Sequence, residues 1–404
     1  MPTTQWLVQC VLAIAAVVYS HKLEYDPNSG LEQPLGHGDT EVGQSDLYLL
    51  HKNLVNIESI SGNEHDIGVF LESYLKDHNF TVEKQFIGPE SIGLHNAEAR
   101  SIVEHRRFNL LAYPGSKRQT RILLTSHIDT VPPFYGYDLR ENDQLWGRGS
   151  VDAKACVATQ SQALHELLAS EAVSRDDVSL LFVVGEETGG DGMISVNDLN
   201  MEWETVIFGE PTELKLASGH KGILIFTVTA HGKAGHSGYP WLGANANHVL
   251  IAALAALQQL KLPSSAKYGN STLNIGEIQG GVAANVIAET ASAKIGIRIA
   301  DGDPETVKEQ ILEAVRKVDP DNLTVEFHGG SYGPVYIDSD VDGFDTVTVN
   351  YGTDIPNLRG NHKRYLYGPG SILVAHSDHE HLAGGELLSA VGGYKKLILA
   401  ALKK

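Results

Sequence analysis

Arg121-Ile122-Leu123-Leu124-Thr125-Ser126-His127-Ile128-Asp129-Thr130 begins as a buried-strand run and stops on an imidazole and a carboxylate. A short apolar run followed at once by ligand-type side chains marks the carboxyl end of a strand in an open α/β sheet, where ligands gather. The same pattern recurs along the chain. Val178 to Val184 (VSLLFVV) ends on Gly185-Glu186-Glu187, and Thr205 to Phe208 (TVIF) on Gly209-Glu210-Pro211-Thr212. Ile372 to Ala375, read as a short strand, ends on His376-Ser377-Asp378, and Ser150-Val151-Asp152 supplies a fifth stop. Side chains from these five stretches, meeting at one sheet edge, would form a mixed imidazole and carboxylate shell for two borderline-soft cations. That is the equipment of a hydrolase.

Outward from these runs, strands alternate with helices from Phe108 to Gly209, the signature of a βαβ-type sheet with covered faces. Ala155 to Leu168 is the clearest helix. Near Leu216 the texture changes. Ile223–Ala230 reads as a strand, Ala244–Leu260 as a helix, Thr272–Ile278 and Ala293–Ile299 as strands, Glu305–Val318 as a helix and Leu323–Phe327 as a strand. The order β-α-β-β-α-β is that of a ferredoxin-like split unit. The expected fold is therefore α/β, a mixed open sheet covered by helices, with an inserted ferredoxin-like α+β lid or dimerisation domain. The expected division is residues 45–215 and 331–404 for the sheet domain and 216–330 for the insert, with a last helix from Gly385 to Leu402. Ser45–Ile57, behind a Ser cap, and Asn63–Asn79 carry apolar residues at helical spacing.

A chain of 404 residues is long for one core, which agrees with two domains. Its formal charge of -19 excludes the basic faces that nucleic acid and anionic membranes select. Leu7 to Val18 is an apolar run too short to span a bilayer, and residues 1–20 read as a secretory signal cut after Ser20. Residues 21–44, rich in Gly, Pro and acids, read as an extended arm. Sequons at Asn79, Asn270 and Asn322 would be glycan acceptors on that route, giving an extracellular protein. Of the two cysteines, Cys10 and Cys156, only the second outlasts the signal, so the mature chain has no internal disulfide and no thiolate zinc site.

A two-metal hydrolytic site needs a bridging ligand, ligands proper to each cation, and a base beside the water. His127 offers an imidazole nitrogen, and Asp129, two residues on, is placed to take the ring's other N–H and fix its tautomer. Asp152, beside glycines that let the backbone bend, opens a helix; its carboxylate can cap that helix or bridge two cations. Glu186 and Glu187 adjoin an apolar strand, where uncompensated carboxylates are costly. One of them can bind metal while the other addresses the water. Glu210 stands at a further strand end, and Glu380 follows His376 by four residues. His379 and His381 are rival ligands that this reading does not separate from His376.

The motifs S-H-I-D-T-V-P, G-R-G-S-V-D-A-K, G-E-E-T-G-G, G-E-P-T and H-S-D-H-E resemble those of a zinc aminopeptidase-clan family. That family includes aminoacylase, acetylornithine deacetylase, succinyl-diaminopimelate desuccinylase and glutamate carboxypeptidase, and the resemblance covers nearly all of Ser45–Lys404. It implies His127, Asp152, Glu187, Glu210 and His376 as ligands of two Zn²⁺ per subunit, with Asp152 bridging. It implies Glu186 as the general base and selects His376 over its neighbours. Gly232 to Pro240 resembles the lid segment whose histidine, here His236, reaches the substrate carbonyl, often across a homodimer interface. Asn285 and Arg298 look like the lid's polar substrate contacts. With the secretory signal, the likeness is to fungal secreted carboxypeptidase-type relatives. The implied reaction is cleavage of a C-terminal amide next to a free carboxylate. Deacylation of an N-acyl amino acid is the alternative on the same reactive core.

Overall fold

The computed structural model describes residues 40–88 and 106–403; the signal segment, Cys10 and the arm up to residue 39 lie outside them. The chain divides after Leu49, and the described end of the first unit is the start of helix Thr40–Asn56. That helix begins inside the stretch read as an arm, and Ser45 lies within it instead of capping it. Thr40-Glu41 provides a polar start and an acid in the first turn, with no proline to stop the helix reaching back that far.

In the second unit, six strands form one sheet. Their order is Thr81–Phe86, Phe108–Tyr113, Val178–Val183, Ile122–His127, Thr205–Gly209 and Lys363–Tyr367. The last four run parallel, and the first two are antiparallel additions at one edge. Val178–Val183 and Ile122–His127 are buried at every position, which is why they read as unbroken apolar runs. Register places Ile122 beside both Val178 and Thr205, so the three central strands finish at one level. Helices Lys154–Ala169 and Gly384–Leu402 pack together and against the central strand Ile122–His127. Leu123, Leu181, Val206, Phe208 and Leu366 share a core with Met193, Ile355 and Leu358.

The second sheet is wholly antiparallel, ordered Thr272–Gly280, Thr290–Ile299, Gly222–His231 and Leu323–Phe327. Alternate residues Leu224, Phe226, Val228 and Ala230, with Ala293, Ile295 and Ile297, face a core shared with helices Ala246–Gln258 and Pro304–Val318. Period-two burial on one face is what an open antiparallel sheet shows. Both helices start on side-chain caps: Asn245 accepts the amide of Asn247, and Asp303 that of Glu305, with Pro304 in the first turn. The element order is the ferredoxin-like one expected from the sequence.

One strand expectation fails. Ile372–Ala375 is a run of turns, closed by Val374 N to Ser371 O (3.3 Å) and Ala375 N to Ile372 O (3.2 Å). Gly368-Pro369-Gly370 ends the strand Lys363–Tyr367 just before it, and Leu373 is 83% exposed. Apolarity without a neighbouring strand to pair with does not make a strand.

Candidate metal centre

The parallel strands end on the acids and imidazole that the sequence picked out. His127 is the last residue of its strand, Glu210 follows directly on Thr205–Gly209, and Glu186–Thr188 form a single 3₁₀ turn beyond Val178–Val183. Asp152 precedes helix Lys154–Ala169 but does not cap it: Ala153 is the cap residue and no side chain caps the first turn. Its carboxylate instead lies between two imidazoles. Oδ1 is 3.1 Å from His127 Nε2, and Oδ2 is 3.3 Å from His376 Nε2. His376 Nε2 is 3.1 Å from Glu187 Oε1, and Glu210 Oε1 is 3.9 Å from His127 Nε2. His127, Asp152 and Glu210 thus form one triad of donors and Asp152, Glu187 and His376 another, each with its ligand atoms within 4.8 Å of one another.

The rivals of His376 are engaged elsewhere. His379 Nδ1 pairs with Asp378 Oδ1 at 2.9 Å, and the His381 ring stacks on Trp146 at 4.5 Å. His376 itself sits at φ +62°, a left-handed backbone that few non-glycine residues adopt and that is often found at functional positions.

Asp129 is fully buried and organises the turn more than it clamps the ring. His127 Nδ1 lies 3.0 Å from the main-chain oxygen of Asp129 and 3.5 Å from its carboxylate. The Asp129 carboxylate accepts the amides of Glu186 (3.1 Å) and Glu187 (3.2 Å) and the hydroxyl of Ser61 (2.7 Å). It therefore fixes where both glutamates emerge, while its main chain orients the imidazole.

The electrostatics show a site short of positive charge. Burial pushes the Glu186 and Glu210 carboxyls well above the usual range. Hydrogen bonds to Asp152 and Glu187 raise His376 to about 10. Burial alone would lower His127, but its bonds to Asp129 and Asp152 carry it well above its ordinary value. Glu210, 6% exposed, takes no hydrogen bond among the described residues. A buried carboxylate without a partner is costly, and a cation is the partner that the surrounding nitrogen and oxygen donors fit. When ionised, Glu186 and the three carboxylates of the triads would carry four negative charges, as many as two divalent cations would neutralise.

Several residues around the cluster were given no role from the sequence, Glu380 being noted there only for its spacing from His376. Glu380 and Arg148, each 2% exposed, pair at 2.6 Å directly beneath Asp152. Lys154 is fully buried with its Nζ on Ile57 O, and burial brings it down to about 7. Asp354, raised by burial to about 6, accepts Asn357 Nδ2 at 2.9 Å and faces the charges of His127 and Asp129. Gly352-Thr353-Asp354 follows strand Thr346–Val349 by a few residues and could have been read as one more polar strand stop.

Of the three lid residues, His236 and Asn285 stand together, while Arg298 lies near the other end of strand Thr290–Ile299. His236, in a two-residue ladder with Val286–Ile287, is exposed and accepts the Gly238 amide on Nδ1 at 3.0 Å. Asn285 is also exposed, and its carbonyl takes the amide of Ser237. Among the described residues, no hydrogen bond or ion pair joins His236 to the acidic cluster. Arg298 is partly buried on strand Thr290–Ile299, where its charge bears on His220 and Tyr332; Tyr332 in turn feels Glu186.

Residues 218–322 match the family described as "Peptidase dimerisation domain", and residues 109–196 match "Peptidase family M28". A probable carboxypeptidase of Aspergillus fumigatus is 45% identical, over 97% of this chain and 93% of its own length. Among solved structures, an M20 family metallo-carboxypeptidase from Sulfolobus solfataricus superposes with a TM-score of 0.68 at 16% identity, covering 89% of this chain and all of its own. A dinuclear metal-binding peptidase of the M20 family from Bacillus subtilis does so at 0.63 and 14%, covering 90% and 99%.

Proposed function

The chain belongs to the M20 family of metallopeptidases, and on that premise we propose that it is a secreted zinc carboxypeptidase. Its reaction would be cleavage of a C-terminal peptide bond beside a free carboxylate. The observation that carries this reading is the placement of Asp152 between His127 and His376, with Glu186 within the electrostatic reach of His127 and Glu187. His127, Asp152 and Glu210 would hold one Zn²⁺, and Asp152, Glu187 and His376 the other. Imidazole and carboxylate donors with no thiolate suit zinc, which would supply Lewis acidity to a water and to the scissile carbonyl.

The chain's own groups do the rest. Glu186, whose carboxyl burial makes a stronger base than usual, takes a proton from the water and delivers it to the departing amine nitrogen. Asp129 holds Glu186 in place through its amide. Arg298 is the candidate for pairing with the substrate carboxylate, and Asn285 for a polar contact beside it. His236 would donate a hydrogen bond to the carbonyl oxygen as negative charge develops there. Since, among the described residues, no hydrogen bond or ion pair joins it to the acids, we assign that bond to His236 of a second copy in a lid-paired homodimer.

For export, the support is the apolar segment Leu7–Val18, which lies outside the described residues, and the exposure of Asn79, Asn270 and Asn322. No helix among the described residues is long and apolar enough to cross a membrane.

The decisive experiment assays dipeptides, C-terminally amidated dipeptides and N-acyl amino acids, with chelator and then with zinc restored. The proposal expects turnover of free-carboxylate dipeptides that amidation, or metal removal without add-back, abolishes. Turnover confined to N-acyl amino acids would move the assignment to deacylase, and activity indifferent to chelation would refute it.

A further inference from the structure

The two donor triads are held in different ways. In the first, His127 and Glu210 stand at the ends of adjacent hydrogen-bonded strands, so the sheet fixes them. In the second, His376 stands on turns with no ladder, its side chain half exposed, and Asp152 lies on the loop 147–152. The short ladder of His381–Ala383 with Gln144–Trp146 brings those two segments side by side, and Glu380 ties the loop itself to the turns. Its main-chain oxygen accepts Gly147 N (3.2 Å) and Ser150 Oγ (3.3 Å). Its Oε1 accepts the amides of Val151 (3.1 Å) and Asp152 (3.2 Å), and its Oε2 takes Arg148 Nη1 at 2.6 Å. Arg148 is anchored in turn, with Nε on Pro133 O at 3.2 Å and its guanidinium over Tyr135. One residue thus joins the segment bearing His376 to every turn of the segment bearing Asp152.

We propose that Glu380 is a positioning residue, a latch that holds Asp152 and His376 in register and so sets the affinity of the second triad for its cation. The first triad shares Asp152, but its other two ligands are fixed by the sheet, so it depends on the latch less. This deepens the dinuclear reading above and rests on it. Groups that orient metal ligands typically govern affinity over a ten- to hundredfold range.

The test titrates the metal-free full-length chain with Zn²⁺ by calorimetry and with Co²⁺ by visible absorption, which reports ligand geometry. The wild type should take two cations. Glu380→Gln should bind the second cation about tenfold more weakly or worse and the first with a clearly smaller loss, the larger change in the Co²⁺ spectrum falling on the second step. Asp378→Asn, on the same segment but exposed and, among the described residues, paired with His379 alone, should leave both steps unchanged. Unchanged affinities in Glu380→Gln, or losses of equal size at both steps, would overturn the latch. A wild type that takes one cation overturns the dinuclear reading itself, and the latch with it. Should Glu380→Gln fail to fold, Arg148→Lys carries the same expectation and the same refutation, since it keeps the charge but loses the planar fork.

Discussion

Oε1 of Glu210 stands 3.9 Å from Nε2 of His127, beyond hydrogen-bond reach, in a place where the carboxylate is almost sealed from water. Two ligands of one cation can be so spaced; two hydrogen-bonded partners cannot. Without metal, the ionised carboxylate is then a liability to the fold. Glu210→Gln, nearly isosteric, should lose one of the two cations, yet its metal-free form should melt no lower than metal-free wild type at pH 8. The sign follows from the raised folded carboxyl: its contribution is present below the usual carboxylate range and is lost as pH climbs through the folded value. Calorimetric melting of both chelated proteins decides it. A lower melting point for the variant would mean that Glu210 stabilises the empty fold.

Proton release on metal binding is the second expectation. His376 is held at about 10 by Asp152 and Glu187, so at pH 8 it carries a proton in the metal-free protein. A metal ligand must be the neutral imidazole, so binding expels that proton and tightens as pH rises towards the folded value. His127, also raised, adds to the effect. Zinc titrations at pH 8 in buffers of different ionisation enthalpy should therefore show at least about one proton released, with apparent affinity rising about tenfold for each unit that pH is raised, per proton displaced. Binding without proton release would remove His376 from the ligand set.

Glu186 should separate chemistry from metal retention. Its carboxylate belongs to neither donor triad, so Glu186→Gln should keep both cations by elemental analysis. Loss of the base should lower kcat by about 10²–10⁴-fold with little change in KM. Normal kcat in that variant would assign the proton transfer to another group, and buried Asp354, whose charge bears on Glu186, is a candidate.

These expectations draw unequally on the sequence. The strand ends were legible because parallel strands buried on both faces read as unbroken apolar runs, and a charge at the end of such a run stands out. The lid was legible from the order of its six elements. His376 could not be separated from His379 and His381 by spacing, because only the packing of distant segments shows which ring faces Asp152 and Glu187. The segment before it was misread for a related reason: Ile372–Ala375 is apolar but has no strand to pair with, and pairing is a tertiary fact. Glu380 was visible only as a spacing mark, since the groups it holds lie more than two hundred residues earlier in the chain. Asp152 had two compatible readings, helix cap and bridge, and the position of Ala153 at the cap removes the first.

His236 poses the test of assembly. It lies on the second sheet's side of the chain, in a ladder with Val286–Ile287, and its ring meets Tyr239 and the Gly238 amide instead of any acid of the cluster. Around it, Tyr239, Trp241, Leu242 and Val282 are all more than half exposed, an apolar surface that a second copy could cover. If His236 serves the site of a partner, His236→Ala should lower kcat by about 10²–10³-fold, the effect of removing one donor to a developing oxyanion. Metal content should stay the same. Mixing His236→Ala with Glu186→Gln under conditions that exchange subunits should then restore activity, because each mixed dimer holds one site with an intact base and an intact partner histidine. If random exchange makes about half the dimers mixed, each with one working site of two, recovery should approach a quarter of the wild-type rate. Mixing without recovery, in dimers shown to have exchanged, would place His236 in the site of its own chain or outside catalysis altogether.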